Sequence, residues 1–191
     1  MDGYVNREQV GVKTSVNASL LSKWLNILFW LIIVSMIAFG GRQIIDIVAA
    51  AAYGMILLKI ASESTHYRSS AICCFIIAVI SIIRIPISDR ADAVLGVLMS
   101  VLPVVVYMIG NYYEFLGHAE VLSDIDQEFS EKWNRLWKWF TGILFVVIAG
   151  IVLTELILVI GQVISLASVL GILIVSVVKI VYIFKMAEVF R

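Results

Sequence analysis

The chain has 191 residues and no net charge; hydrophobic residues make up 62% of it and charged residues 15%. Soluble domains contain roughly 45–50% apolar and about 25% charged residues, and one of this size could not hide so much apolar surface from water. The composition therefore excludes an ordinary soluble domain and predicts a lipid bilayer as the surrounding medium. The even charge balance also argues against a nucleic-acid partner, which requires a clustered basic face.

Six apolar stretches follow one another along the chain, each close to the length of a membrane-spanning helix. The hydrocarbon core is about 30 Å thick and a helix rises about 1.5 Å per residue, so about 20 apolar residues can span it. We therefore predict an all-α integral membrane protein, with an N-terminal segment at residues 1–23 and a single transmembrane domain at residues 24–191. Its six helices are predicted at residues 24–39, 43–62, 70–85, 91–122, 137–160 and 163–190.

Three of the predicted connections are short turns, at Gly40-Gly41, at residues 86–90 and at Gly161-Gln162. Short connections join antiparallel neighbours, so we expect the helices to form three antiparallel hairpins. Pro86 is expected to end the third helix, because proline lacks a backbone N–H and clashes with the preceding turn.

Lysine and arginine residues are distributed unevenly between the two sides of this arrangement. The side with both termini carries ten of them, namely Arg7, Lys13, Lys23, Lys59, Arg68, Lys132, Arg135, Lys138, Lys185 and Arg191. The other side carries three, namely Arg42, Arg84 and Arg90. Positively charged loops stay in the cytoplasm, so the protein is predicted to lie in the cell membrane with both termini cytoplasmic.

The connection between the fourth and fifth helices is a substantial polar segment with an apolar face. Its apolar residues recur at three- and four-residue steps, namely Leu122, Ile125, Phe129, Trp133, Leu136 and Phe140. This spacing is typical of an amphipathic helix. We expect the fourth helix to project into the cytoplasm and this segment to return along the interface, where it offers a docking surface for a partner.

The fourth helix carries a stripe of polar residues, namely Tyr107, Asn111, Glu114 and His118, at steps of four, three and four. This spacing puts the four side chains on one face, which must meet protein, water or ligand because unpaired polar groups are costly in lipid. Lys179 lies at a comparable depth in the sixth helix. We therefore expect the fourth and sixth helices to face each other, with Glu114 or Asn111 near Lys179.

Two further carboxylates, Asp46 and Glu155, lie inside the membrane near the other side. Pairing of Asp46 with Arg42 and of Glu155 with Arg84 would neutralise them and hold helices together. The alternative is that they line the rim of a solute or ion pathway, as ionisable groups within membranes often do.

Both histidines have a carboxylate at a spacing compatible with metal binding: Glu63 with His66, and Glu114 with His118. Imidazole and carboxylate ligands suit iron, zinc or manganese, and paired Glu-x-x-His motifs build di-metal sites in bundles. The second pair departs from this motif because its residues are four apart. Solvated helix ends and interfacial hydrogen bonds are the simpler interpretation, and no cofactor is predicted.

Three functions are compatible with the sequence. The first is a small-solute or ion transporter or channel component, with a pathway through Asn111, Glu114, Lys179, Asp46, Glu155 and Tyr107. The second is a non-catalytic accessory protein that docks a partner membrane protein or another copy of itself. The third is a membrane-embedded metal-dependent enzyme that uses Glu63, His66, Glu114 and His118.

Overall fold

The fold is a helical bundle preceded by a small β-hairpin. It is given by a computed structural model that describes residues 4–9, 12–37, 43–87, 93–156 and 158–191. Strands β1 (Tyr4–Gln9) and β2 (Val12–Asn17) pair in antiparallel fashion. The helices are α1 (Ala18–Ile37), α2 (Gln43–Lys59), α3 (Thr65–Ile87), α4 (Ala93–Leu122), α5 (Gln127–Leu156) and α6 (Leu158–Val189). The predicted helical class is confirmed, whereas the hairpin occupies a segment for which no structure was predicted.

Three of these helices contain stretches long and apolar enough to cross a membrane, at Ala18–Ser35, Thr65–Arg84 and Val159–Val189. A shorter apolar stretch, Ile47–Lys59, lies in α2. Many large apolar side chains on the helices are exposed, which would be unfavourable in water but is expected beside lipid tails. The protein is therefore associated with the lipid bilayer.

The helices pack in chain order, each against the next, and α1 also packs against α6. Phe29 of α1 contacts Phe184 of α6 with ring centroids 5.2 Å apart. Ser22, nearer the start of α1, donates a hydrogen bond to the carbonyl oxygen of Ala187, nearer the end of α6, at 2.8 Å. The later residue of α1, Phe29, therefore contacts the earlier residue of α6, Phe184, so α1 and α6 are antiparallel.

Three of the helices begin at side-chain caps. Asn17, Ser64 and Asp126 precede α1, α3 and α5, and each accepts a hydrogen bond from a backbone N–H two or three residues later, at 3.0, 3.2 and 2.9 Å. Such caps satisfy donors that a helix start leaves unpaired. The helices consequently begin before the predicted starts at residues 24, 70 and 137, which marked only the onset of apolar sequence.

The capped helix starts lie beside the ends of α2, α4 and α6. The backbone N–H of Asn17 donates to Glu63 Oε2 at 3.1 Å, after the end of α2. Ser64 Oγ donates to Glu120 Oε2 of α4 at 2.5 Å, and Ser130 Oγ of α5 donates to the carbonyl oxygen of Ala119 at 2.7 Å. We call this end of the bundle, with the starts of α1, α3 and α5 and the ends of α2, α4 and α6, the capped end.

The hydrophobic core is concentrated at the capped end. Its fully buried side chains come from all six helices and from the turn after α2, namely Leu21, Leu25, Leu57, Ile60, Tyr67, Leu122, Trp133, Ile183 and Met186. Polar groups placed among these residues are therefore enclosed by protein.

Helix α5 runs without interruption from Gln127 to Leu156, so the amphipathic segment is its first part and not a separate interfacial helix. Its apolar residues Phe129, Trp133, Leu136 and Phe140 are buried in the core. The expectation of a free docking surface is wrong for this face, because α4 and α6 already cover it.

Two predicted helix ends lie inside longer helices. The turn expected at Gly161-Gln162 is part of α6, and α3 continues through Pro86 to Ile87. A glycine costs a helix only about 1 kcal/mol, and in lipid no water replaces a broken backbone hydrogen bond, so continuation is favoured. The turns expected at Gly40-Gly41 and at residues 88–90 lie outside the described residues.

Candidate functional site: a buried polar network

The centre of the polar network is an ion pair between α4 and α6. Lys179 Nζ lies 2.8 Å from Glu114 Oε2 and donates a second hydrogen bond to Asn111 Oδ1 at 2.9 Å. The side chain of Glu114 is 2% exposed and that of Lys179 is 13% exposed. The prediction that Glu114 or Asn111 lies near Lys179 is confirmed, and both residues contact it.

Tyr53 brings α2 into the same network. Its hydroxyl donates to Glu114 Oε1 at 2.5 Å, and its ring lies 5.4 Å from Lys179 Nζ. The ring of Phe115 lies 5.5 Å from the same ammonium group. A cation near aromatic faces is stabilised by their quadrupoles, which supplements the two hydrogen bonds to Lys179.

His118 extends the network to α3. Its Nε2 atom lies 3.4 Å from Glu114 Oε1, and its Nδ1 atom lies 2.9 Å from the hydroxyl of Tyr67. A carboxylate can only accept, so Nε2 donates its proton to Glu114, and in the neutral ring Nδ1 is then the acceptor for the Tyr67 hydroxyl. The neutral imidazole in this tautomer satisfies both contacts at a position with no exposed surface.

Aromatic side chains close the network on the side of α5. The indole ring of Trp133 lies against His118 with ring centroids 4.4 Å apart, and also contacts Tyr182 at 5.5 Å. Trp133 has no exposed surface, and its Nε1 atom has no hydrogen-bond partner among the described residues. Water is thereby kept away from the imidazole.

Two glycines of α4 allow α3 to approach closely. A Cβ atom at Gly110 would lie 2.9 Å from Cys73 Cβ, and one at Gly117 would lie 2.9 Å from the ring of Tyr67. Small residues let membrane helices pack closely without a hydrophobic driving force. At Gly117 the close approach brings Tyr67 within reach of His118.

The structure separates Tyr107 from the rest of the predicted stripe. Its side chain is half-exposed and contacts the ring of Phe140, while its carbonyl oxygen accepts a hydrogen bond from Asn111 Nδ2 at 2.8 Å. Tyr107 is the member of the stripe farthest from the capped end, and at that depth the hydrophobic core no longer covers the stripe. Asp46 and Glu155 belong to α2 and α5, but their side chains lie outside the described residues.

Of the four residues considered for a metal site, Glu114 and His118 contact each other in the buried network, whereas Glu63 and His66 have other partners. Glu63 accepts from the backbone of Asn17, and His66 Nε2 lies 3.9 Å from Glu120 Oε2. In the part of the chain that the structure describes, no three His, Cys, Asp or Glu side chains are grouped so as to hold a metal ion.

Two members of the network were not predicted from the sequence, namely Tyr53 and Tyr67, which supply hydroxyls from α2 and α3. Both are tyrosines in apolar surroundings, and a buried tyrosine hydroxyl usually has a hydrogen-bond partner. That rule could have marked them as network members, but it does not predict which helix they face.

The network has two chemical capabilities. Lys179 can donate to an anionic group and Glu114 can bind a cationic one, once either is released from the other. The groups Tyr67, His118 and Glu114 also form a continuous hydrogen-bonded chain of titratable side chains, the arrangement used for proton relays in membrane proteins.

The chain matches no known protein family, no curated protein and no solved structure.

Proposed function

We propose that this protein is a membrane transport component for a small solute or ion, and that the Glu114–Lys179 pair is its binding site. The observation that carries the proposal is the buried ion pair, which hydrogen bonds join to three further side chains, Asn111, Tyr53 and His118. Ionisable residues within membranes mark substrate and ion pathways by default.

The composition of the network supports a binding role over simple neutralisation. A lysine and a glutamate neutralise each other without further polar partners, and apolar residues of similar volume often replace a buried pair without loss of stability. Here the two charged groups contact an amide, an imidazole and a phenol hydroxyl, and a second phenol hydroxyl contacts the imidazole. These groups can hold Lys179 or Glu114 while a solute displaces its partner.

The proposed topology has six membrane crossings, with both termini and the start of α5 in the cytoplasm. The ten-to-three distribution of basic residues supports this orientation. The capped end then lies at the cytoplasmic side, with the binding site within a few turns of it. A solute would reach the pair through a change in helix packing, because the surrounding side chains enclose it.

The other two functions have less support. The apolar face of the segment at the start of α5 is buried in the core, so it does not serve as a docking surface for an accessory protein. A metal-dependent enzyme would require a ligand cluster, and the described residues include no grouping of three suitable side chains.

Solute-induced thermal stabilisation tests the proposal. A solute that binds the folded state raises the unfolding temperature of the purified protein. The panel would contain monovalent and divalent cations, inorganic anions, small carboxylates and small amines. We expect at least one to stabilise the natural protein and none to stabilise the double variant Lys179→Met/Glu114→Leu.

A second ion pair provides the matched control. Lys132 and Glu128 are 2.6 Å apart, but their side chains are 45% and 79% exposed and lie outside the network. The variant Lys132→Met/Glu128→Leu should keep the response to the solute. A response that survives in Lys179→Met/Glu114→Leu, or no response of the natural protein to the whole panel, would refute the proposed site.

A further inference from the structure

A groove on the outer surface of the bundle lies between α5 and α6, away from the buried network. Its volume is about 510 Å³. On α5 it is lined by Lys132, Arg135 and Trp139 among others, and on α6 by Val178 and Ile174 among others. It opens onto the region that lipid surrounds, since α6 contains one of the apolar stretches able to cross a membrane.

The charge in the groove lies at one end. Lys132 and Arg135 line the end nearest the capped end, and both are exposed. Lys132 is also bound to Glu128, and that hydrogen bond raises the pKa of the lysine, so it stays protonated. Arg135 is the cation best placed to meet a ligand, because its guanidinium is always charged and binds phosphate oxygens well.

The rest of the groove is apolar, and the whole groove is about as long as one lipid leaflet is deep. From Tyr182 to Gly171 the α6 wall covers twelve residues, or about 16 Å over eleven helical steps, and half of the hydrocarbon core is about 15 Å. The groove ends where the helices meet, since a Cβ atom at Gly171 would lie 3.3 Å from Ile143. Trp139, exposed over 66% of its surface, lies between the charged end and the apolar part, as tryptophan does at membrane interfaces.

We propose that this groove binds an anionic phospholipid, with the phosphate beside Arg135 and Lys132 and an acyl chain along Trp139, Ile174 and Val178. Basic pockets between helices at the cytoplasmic surface are suited to anionic headgroups. The groove combines a cationic end with an apolar wall of leaflet depth, which is the complement of such a lipid. This inference is independent of the proposed transport function, because none of its residues belongs to the network around Glu114.

Lipid titration of the purified full chain in detergent tests the inference. Phosphatidylglycerol and phosphatidylcholine with identical acyl chains would be added in parallel, with inorganic phosphate as a third arm, and bound lipid counted by native mass spectrometry. We expect one phosphatidylglycerol to bind at least about fivefold more tightly than phosphatidylcholine, from the usual contribution of one basic residue near an anionic headgroup. Inorganic phosphate should not compete at the same concentration.

Paired variants locate the site. Arg135→Gln should lower phosphatidylglycerol affinity about fivefold, whereas Lys138→Gln, an exposed lysine on α5 that does not line the groove, should leave it unchanged. Val178→Trp should fill the apolar part and reduce binding of both lipids, whereas Val177→Trp should not. Equal binding of the two lipids, full competition by inorganic phosphate, or unchanged affinity in Arg135→Gln would overturn the inference. Arg135 is exposed, so its variant tests the site even if Val178→Trp does not fold.

Discussion

Lys179 Nζ lies 2.8 Å from Glu114 Oε2 in the interior of the bundle, although the two residues are 65 positions apart in the sequence. Water solvates neither charged group well, since the side chain of Lys179 is only 13% exposed and that of Glu114 only 2%. Each group therefore depends on the other and on the neighbouring hydrogen bonds. The pair joins α4 to α6, so it is both a structural link and the proposed binding site.

Removing one member of this pair should destabilise the protein more than removing both. Lys179→Met leaves Glu114 buried without its countercharge, and a loss of about 3–5 kcal/mol is typical of such a change. The double variant Lys179→Met/Glu114→Leu should recover most of this loss. Unfolding in mixed micelles with increasing denaturing detergent would give the four free energies of the double-mutant cycle. Additive losses would show that the two side chains are not energetically coupled.

Close packing between α3 and α4 should make Gly110 intolerant of a methyl group. In Gly110→Ala the new Cβ would lie 2.9 Å from Cys73 Cβ, an atom fixed to the helix backbone, so the helices must separate. We expect a loss of about 1–3 kcal/mol in the free energy of unfolding.

Gly142→Ala is the matched control for that prediction. A Cβ atom at Gly142 would meet nothing within 4 Å, so this change should stabilise the helix by about 0.5–1 kcal/mol. Thermal unfolding of both variants in the same detergent would compare them. If Gly110→Ala stabilised the protein as much as Gly142→Ala does, α3 and α4 would not be in close contact at Gly110.

The indole of Trp133 should stabilise the fold through the apolar surface area that it buries, and not through a hydrogen bond from its N–H. A buried donor without a partner costs about 1–3 kcal/mol, so Trp133→Phe removes a penalty while losing part of the ring contact with His118. We expect Trp133→Phe to stay within about 1 kcal/mol of the natural protein, whereas Trp133→Ala should lose about 3–5 kcal/mol. A large loss in Trp133→Phe would mean that the N–H has a partner.

The proposed topology predicts which sites an impermeant thiol reagent reaches. Gln127 and Glu188 are exposed residues at the capped end. Each would be replaced by cysteine, as Gln127→Cys or Glu188→Cys, in a background in which alanine replaces Cys73 and Cys74. Both should react only after the membrane is permeabilised, because the capped end is proposed to face the cytoplasm. Labelling of either site in intact cells would contradict that orientation.

Helix boundaries show how far local sequence information reaches. The long apolar stretches identified the helices because spanning lipid is a requirement on consecutive residues. The same criterion missed the helix starts at Ala18, Thr65 and Gln127, where polar sequence still forms helix after a capping residue. It also placed a turn at Gly161-Gln162, although lipid favours continuous helical hydrogen bonding through such positions.

The sequence by itself determined the membrane class, the helical fold and the expectation that Glu114 or Asn111 lies near Lys179. These follow from composition and from helical periodicity, which puts residues three and four apart on one face. Only the tertiary structure decided that Tyr53 and Tyr67 complete the network, that Tyr107 stands outside it, and that the apolar face of α5 is buried. Each of these depends on how helices distant in sequence are rotated against one another, and that rotation is set by packing contacts such as the close approach of α3 to α4.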